Sequence, residues 1–193
     1  MNKDRPKYRQ IIDAAVVVIA ENGYHASQVS KIAKQANVAD GTIYLYFKNK
    51  EDILISVFKE KMGHFIEKID QAISKQKTVS DKLLTLIKMH YKQLSESPHL
   101  AVVTQLELRQ SKPELRKEIN NVLKSYLNVI DEIVQQGIEE NEIRKDINPQ
   151  LIRHMIFGTL DETVTTWLMK SQRYSLLDQV EEVHSLLTKG IFK

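Results

Sequence analysis

Nowhere in this chain do polar and apolar residues alternate with period two for long enough to make a strand, whereas apolar residues recur at helical spacing almost throughout. That confines the fold to helices packed on helices. Six Gly and four Pro in 193 residues are too few to supply the turns of a sandwich or barrel. Pro98, Pro113 and Pro149 each stand where a helix would begin, because proline is tolerated in a first turn and nowhere deeper. The expected class is all-α: three short N-terminal helices, a long connector and a C-terminal bundle.

The first helix is expected over 6–22, with Ile11, Ile12, Ala15, Val16 and Ile19 at helical spacing and Gly23 closing it in the left-handed conformation. Ser27 is a natural N-cap for a second helix through Val29, Ile32, Ala33 and Ala36. Asn37-Val38-Ala39 makes a tight turn, and Asp40 or a neighbour can cap a third helix over Thr42–Phe47. Lys48-Asn49-Lys50 breaks the pattern, and a fourth helix over about 51–74 extends roughly 35 Å. Further helices are expected near 79–95, 98–109, 113–140, 148–170 and 175–190.

The net charge of +3 is unevenly divided. Residues 1–50 hold eight Lys/Arg against four acids, and the remainder holds twenty against twenty-one. A basic N-terminal quarter suits a polyanion. No cysteine occurs, which excludes disulfides, thiolate metal sites and cysteine nucleophiles and fits a reducing cytoplasm. The basic start before Ala14–Ala20 superficially resembles a secretory signal, but Asp13 interrupts the run and the helical periodicity continues beyond it. No stretch approaches the roughly 18 apolar residues that cross a bilayer.

Two short helices joined by about three residues cross steeply, so the second can enter a groove roughly 12 Å wide. Ile32, Ala33, Ala36, Val38, Ile43 and Phe47 are expected to lock that pair against the first helix. Gly41, Thr42, Tyr44, Leu45, Tyr46 and Lys48 then lie on the outer side. Thr42 can touch a base edge or a thymine methyl, and Gly41 lets the backbone approach closely. Tyr44 and Tyr46 carry hydroxyls for phosphate, although Tyr46 could equally pack between helices. Lys48 and Lys50 add charge at the flank, and Gln28 and Ser30 can reach the backbone or a base from the start of the second helix.

These residues carry a resemblance. The stretch 9–54, above all Gly41-Thr42-Ile43-Tyr44-Leu45-Tyr46-Phe47-Lys48-Asn49-Lys50-Glu51-Asp52-Ile53-Leu54, resembles the DNA-binding domain of TetR-family transcriptional regulators. The resemblance implies a helix-turn-helix domain over 1–50 and a ligand-binding and dimerisation domain over 51–193. It also implies a homodimeric repressor on double-stranded, palindromic operator DNA, released when a ligand binds the C-terminal domain. Base or near-base contacts would fall at Ser30, Gly41 and Thr42, and phosphate contacts at Gln28, Tyr44, Tyr46 and Lys50. The last two long helices would form the dimer interface near 150–190, with Gly158 permitting a close crossing.

Beyond residue 75 the apolar stripes (Ile119 to Val134, then Leu151 to Leu168) suit plain core as well as a cavity. Glu107, Arg109, Arg116, Arg153 and Asp161 sit on or beside these faces, where lone charges are costly. Mutual salt bridging is one reading. The other is an anionic head group with an apolar tail. The segments Gln105–Gln110 and Met155–Trp167 are similar to Gram-positive members of the family that control fatty-acid degradation, as are Arg5–Tyr8 and Ala39–Leu54. That likeness implies long-chain acyl-CoA as effector and no cofactor. Arg109 and Arg116 are assigned to the coenzyme A phosphates on their charge, not on family motifs. Trp167 is assigned to the ligand as a candidate ring.

Three other readings are open. A lipophilic cation, as sensed by regulators of efflux pumps, would need acids such as Glu107, Asp161 and Glu162 with Trp167 stacked on it. A di-iron bundle enzyme would use Glu-x-x-His pairs. Of the two matches, Glu96/His99 is broken by Pro98 and Glu181/His184 lies near the polar C-terminal end, so no catalytic or metal site is expected. A purely architectural DNA binder would not need so large a C-terminal body.

Overall fold

In the computed structural model, which describes residues 6–192, the chain forms α1 (Pro6–Asn22), α2 (Val29–Gln35), α3 (Asp40–Ile43), α4 (Lys50–Ile73), α5 (Val79–Ser95), α6 (Pro98–Leu106), α7 (Pro113–Glu139), α8 (Pro149–Met169) and α9 (Val180–Ile191). A 3-10 turn at Leu176–Gln179 precedes α9. Among the described residues the only bridge is an isolated one between Ile143 and Phe192. Lys3 and Arg5, counted in the basic N-terminal quarter, lie outside the described residues.

The three prolines open α6, α7 and α8 as expected. Asn148 caps α8 by accepting the Gln150 N–H at 2.8 Å, and Thr78 caps α5 by accepting that of Asp81 at 3.0 Å. Gly23 takes φ 73° and ends α1, while Asn37 takes φ 49° in the turn before α3.

One expected cap is corrected. The residue at the N-cap of α2 is Gln28, with no side-chain cap bond. Ser27 is buried, and its hydroxyl reaches the Val18 and Gly23 carbonyls at 3.1 and 2.8 Å, stitching the α1–α2 turn. At α3 the N-cap is Ala39, and Asp40 is already helical. α3 itself is only four residues, with its turns continuing to Phe47 through Leu45 N–H to Thr42 O and Phe47 N–H to Ile43 O.

The chain divides into two compact units, each discontinuous in sequence. The first holds residues up to Gly63 with Pro98–Val122; the second holds His64–Ser97 with Leu123–Lys193. In the first, Ala14, Ala15 and Val16 are buried in succession, as are Val18 and Ile19, so α1 is covered on more than one side while Arg9, Gln10 and Asp13 stay exposed. Both α2 and α6 pack on it. In the second, α5 packs on α8 and α9.

Candidate DNA-reading surface and effector core

The helical path over 40–47 sorts its side chains by angle. Ile43 and Phe47, one turn apart, are buried, and Phe47 stacks on Tyr8 at 5.2 Å between ring centres. Gly41, Tyr44, Leu45 and Lys48 form the opposite face and are all exposed. Thr42 and Tyr46 flank that face half-buried. Gln28 and Ser30 are exposed at the start of α2. Of the expected locking residues, Ile32, Ala33 and Ala36 are buried and Val38 is half-buried.

Tyr46 packs as one of its two readings expects, its ring lying 6.3 Å from that of Tyr8. Lys50 is more constrained than its sequence context implies. Its ammonium donates to the Tyr24 and His25 carbonyls at 3.1 and 3.0 Å and stands 4.6 Å from the centre of the Tyr24 ring. At the start of α4, Asn49 accepts the Asp52 N–H at 2.9 Å while the Asp52 carboxylate accepts that of Lys48, also at 2.9 Å. These reciprocal bonds fix the turn that carries Lys48.

Glu107 is a residue whose role was not legible in the sequence. α6 stops at Leu106, short of the expected 109, and one Glu107 oxygen accepts the Tyr24 N–H at 2.8 Å. Its other oxygen accepts from Gln110 at 2.6 Å. Tyr24 is thus held by Glu107 at its amide and by Lys50 at its carbonyl. Burial, with Glu51 and Glu107 adding repulsion, pushes the Tyr24 hydroxyl up to about 12. Nearby, Lys112 pairs with Glu51 at 2.7 Å. Arg109 is exposed, and exposed Arg116 donates to the Gln110 carbonyl at 3.4 Å. Both belong to the first unit.

Trp167 belongs to the second unit, is buried, and donates its indole N–H to the Tyr174 carbonyl at 2.8 Å. Around α5 the same unit buries a polar group of three. His90 Nδ1 lies 2.8 Å from Tyr126 Oη, while His90 Nε2 has no hydrogen-bond partner among the described residues. Phe65 meets both His90 and Tyr126 edge-on at 5.5 and 5.7 Å. Burial pushes His90 down to about 3 and raises the Tyr91 and Tyr126 hydroxyls. The ring is therefore neutral at physiological pH. The place of His90 in the apolar stripe of Leu83, Leu86, Ile87 and Leu94 was the available signal of burial.

Arg153 pairs with Asp131 at 2.8 Å, as the salt-bridge reading expects. His184, of the second Glu-x-x-His match, lies 3.1 Å from the Ser80 carbonyl. Among the described residues no three His, Asp or Glu side chains gather as metal ligands would, and no helix is long and apolar enough to cross a membrane.

A helix-turn-helix with an exposed outer face in one unit and a helical bundle in the other define a DNA-binding regulator. Residues 11–57 match the family described as bacterial regulatory proteins of the tetR family, and residues 58–190 match the C-terminal region of YsiA-like proteins. The chain belongs to the TetR family of transcriptional regulators. It is 60% identical to the fatty acid metabolism regulator of Bacillus subtilis over 191 residues, 99% of this chain and 98% of that one. Among solved structures it is similar to FadR of Bacillus halodurans, with a TM-score of 0.91 and 57% identity over 95% of this chain and 98% of that one. It is also similar to FadR of Bacillus subtilis in complex with stearoyl-CoA, with a TM-score of 0.92 and 60% identity over 95% of this chain and 99% of that one.

Proposed function

We propose that this chain is a homodimeric cytoplasmic repressor of fatty-acid degradation genes that leaves its operator when a long-chain acyl-CoA binds. The near full-length likeness to a relative crystallised with stearoyl-CoA carries the reading. Residues 1–50 supply the DNA-reading half, with Ser30, Gly41 and Thr42 at or near base edges and Gln28, Tyr44, Tyr46, Lys48 and Lys50 toward phosphates. Residues 51–193 supply the sensing and dimerising half.

For the dimer, Leu151, Met155, Gly158, Glu162 and Met169 share one exposed face of α8, spaced by whole helical turns. Leu186 on α9 is 74% exposed, and a Cβ built at Gly158 or Gly190 meets nothing within 4 Å, which leaves room for a partner helix. For the effector, the apolar second unit suits an acyl chain, and His90 Nε2, without a partner among the described residues, suits a polar atom of a ligand beside that chain. Release requires that the ligand bind a conformation with little affinity for DNA more tightly than the operator-bound one.

The test is fluorescence anisotropy at fixed salt, on an operator selected from randomised duplex DNA. Stearoyl-CoA is expected to release the operator at low micromolar concentration. Absence of release at tens of micromolar, or release by tetraphenylphosphonium instead, would overturn the acyl-CoA reading. On the same operator, Thr42→Ala should reduce discrimination at one base position by about 1–3 kcal/mol while leaving affinity for random DNA unchanged. Equal losses on operator and random DNA would remove Thr42 from base reading.

A further inference from the structure

The exposed face of the recognition helix contains one side chain with no polar atom. Leu45 is 70% exposed, with Tyr44 beside it at 59% and Lys48 a turn further on, also exposed. Leu45 stands largely clear of the described residues, whereas Ile43 and Phe47 on the inner face are fully buried. Gly41, a turn earlier on the same face, has no side chain and nothing within 4 Å of a built Cβ, so that face can sit close to a flat surface. Tyr44 has a hydroxyl and Lys48 an ammonium, and both suit phosphate oxygens; an isobutyl group between them cannot. On the major-groove floor the apolar group available to it is the C5 methyl of thymine. Scattered exposed leucines are ordinary on a protein surface. This one is bracketed by a hydroxyl and a charge on the face that meets DNA.

We propose that Leu45 is a specificity-determining residue that selects thymine in the operator by packing against its C5 methyl group. This rests on the regulator reading and names the base class that one side chain recognises. The methyl is shielded from water between the base and the leucine, so its removal should weaken binding at that step alone. The hydrogen-bonding edge of the base is unchanged by its loss.

The experiment replaces each thymine of the selected operator in turn by deoxyuridine, which keeps pairing and the O4 acceptor and lacks only the methyl. The wild-type protein should bind about fourfold more weakly at one position of each half-site, the worth of one buried methyl-sized group. Leu45→Ala should weaken binding to the thymine operator by a similar factor and no longer distinguish thymine from uracil there. Leu45→Met should restore the distinction. Circular dichroism of Leu45→Ala should match the wild type, since most of the side chain is exposed. If the wild type is indifferent to every thymine-to-uracil change, or Leu45→Ala keeps the full discrimination, the assignment to Leu45 falls while the regulator reading stands. If no sequence is enriched from random duplexes, both fall.

Discussion

Trp167→Ala lowers the free energy of unfolding by about 3–5 kcal/mol, the cost of removing a buried indole that its neighbours can refill only in part. Trp167 is 4% exposed and its N–H is committed to the Tyr174 carbonyl, so the substitution opens a cavity and frees that acceptor. It is also the sole tryptophan, so the loss must be followed by far-UV circular dichroism in urea rather than by intrinsic fluorescence. Protein concentration is held constant because a dimer's stability depends on it. Trp167→Phe separates packing from ligand contact. With Trp167 acting only in the core, Trp167→Phe leaves stearoyl-CoA affinity within about twofold of wild type, and the free-energy loss is confined to unfolding. A large loss of affinity with stability retained would instead place the ring against the ligand.

Acid should destabilise the protein through His90. In the unfolded chain this ring takes up its proton near 6.5, and in the folded chain only near 3. Between those values the unfolded state binds more protons, so stability present above pH 6.5 is lost progressively as pH falls. Between pH 7 and pH 5 the expected loss from this one group is about 2 kcal/mol. His90→Gln keeps a polar partner for Tyr126 and cannot titrate. Urea unfolding of both proteins at the two pH values should show the acid-induced loss smaller in the variant by that amount. An equal loss in both would assign the acid sensitivity to other groups.

The long helices were legible because they depend on periodicity and on prolines that only a first turn accepts. So was the outward set Gly41, Tyr44 and Lys48, which follows from spacing once Ile43 and Phe47 are placed inside. The caps were less so. Ser27 has the right chemistry to cap α2, but its hydroxyl goes to carbonyls at Val18 and Gly23, a choice made by how the α1–α2 turn closes. Lys50 reads as a free cation in the sequence, and its grip on the 24–25 carbonyls depends on residues 25 and 26 positions away. Glu107 is further still, since its partner is an amide 83 residues earlier. Side chains that bond distant backbone leave no local pattern.

The cover that α6 places on α1 has a consequence for how such regulators exchange parts. α1 and its lid are separated in the chain by the whole of α4 and α5, yet they belong to one packed unit. A crossover between two relatives placed after residue 57, where the two family regions meet, would seat one parent's first helix under the other parent's sixth. DNA specificity and effector choice therefore recombine freely only when the 98–122 segment travels with the N-terminal block, or when both parents keep matching buried faces on α1 and α6.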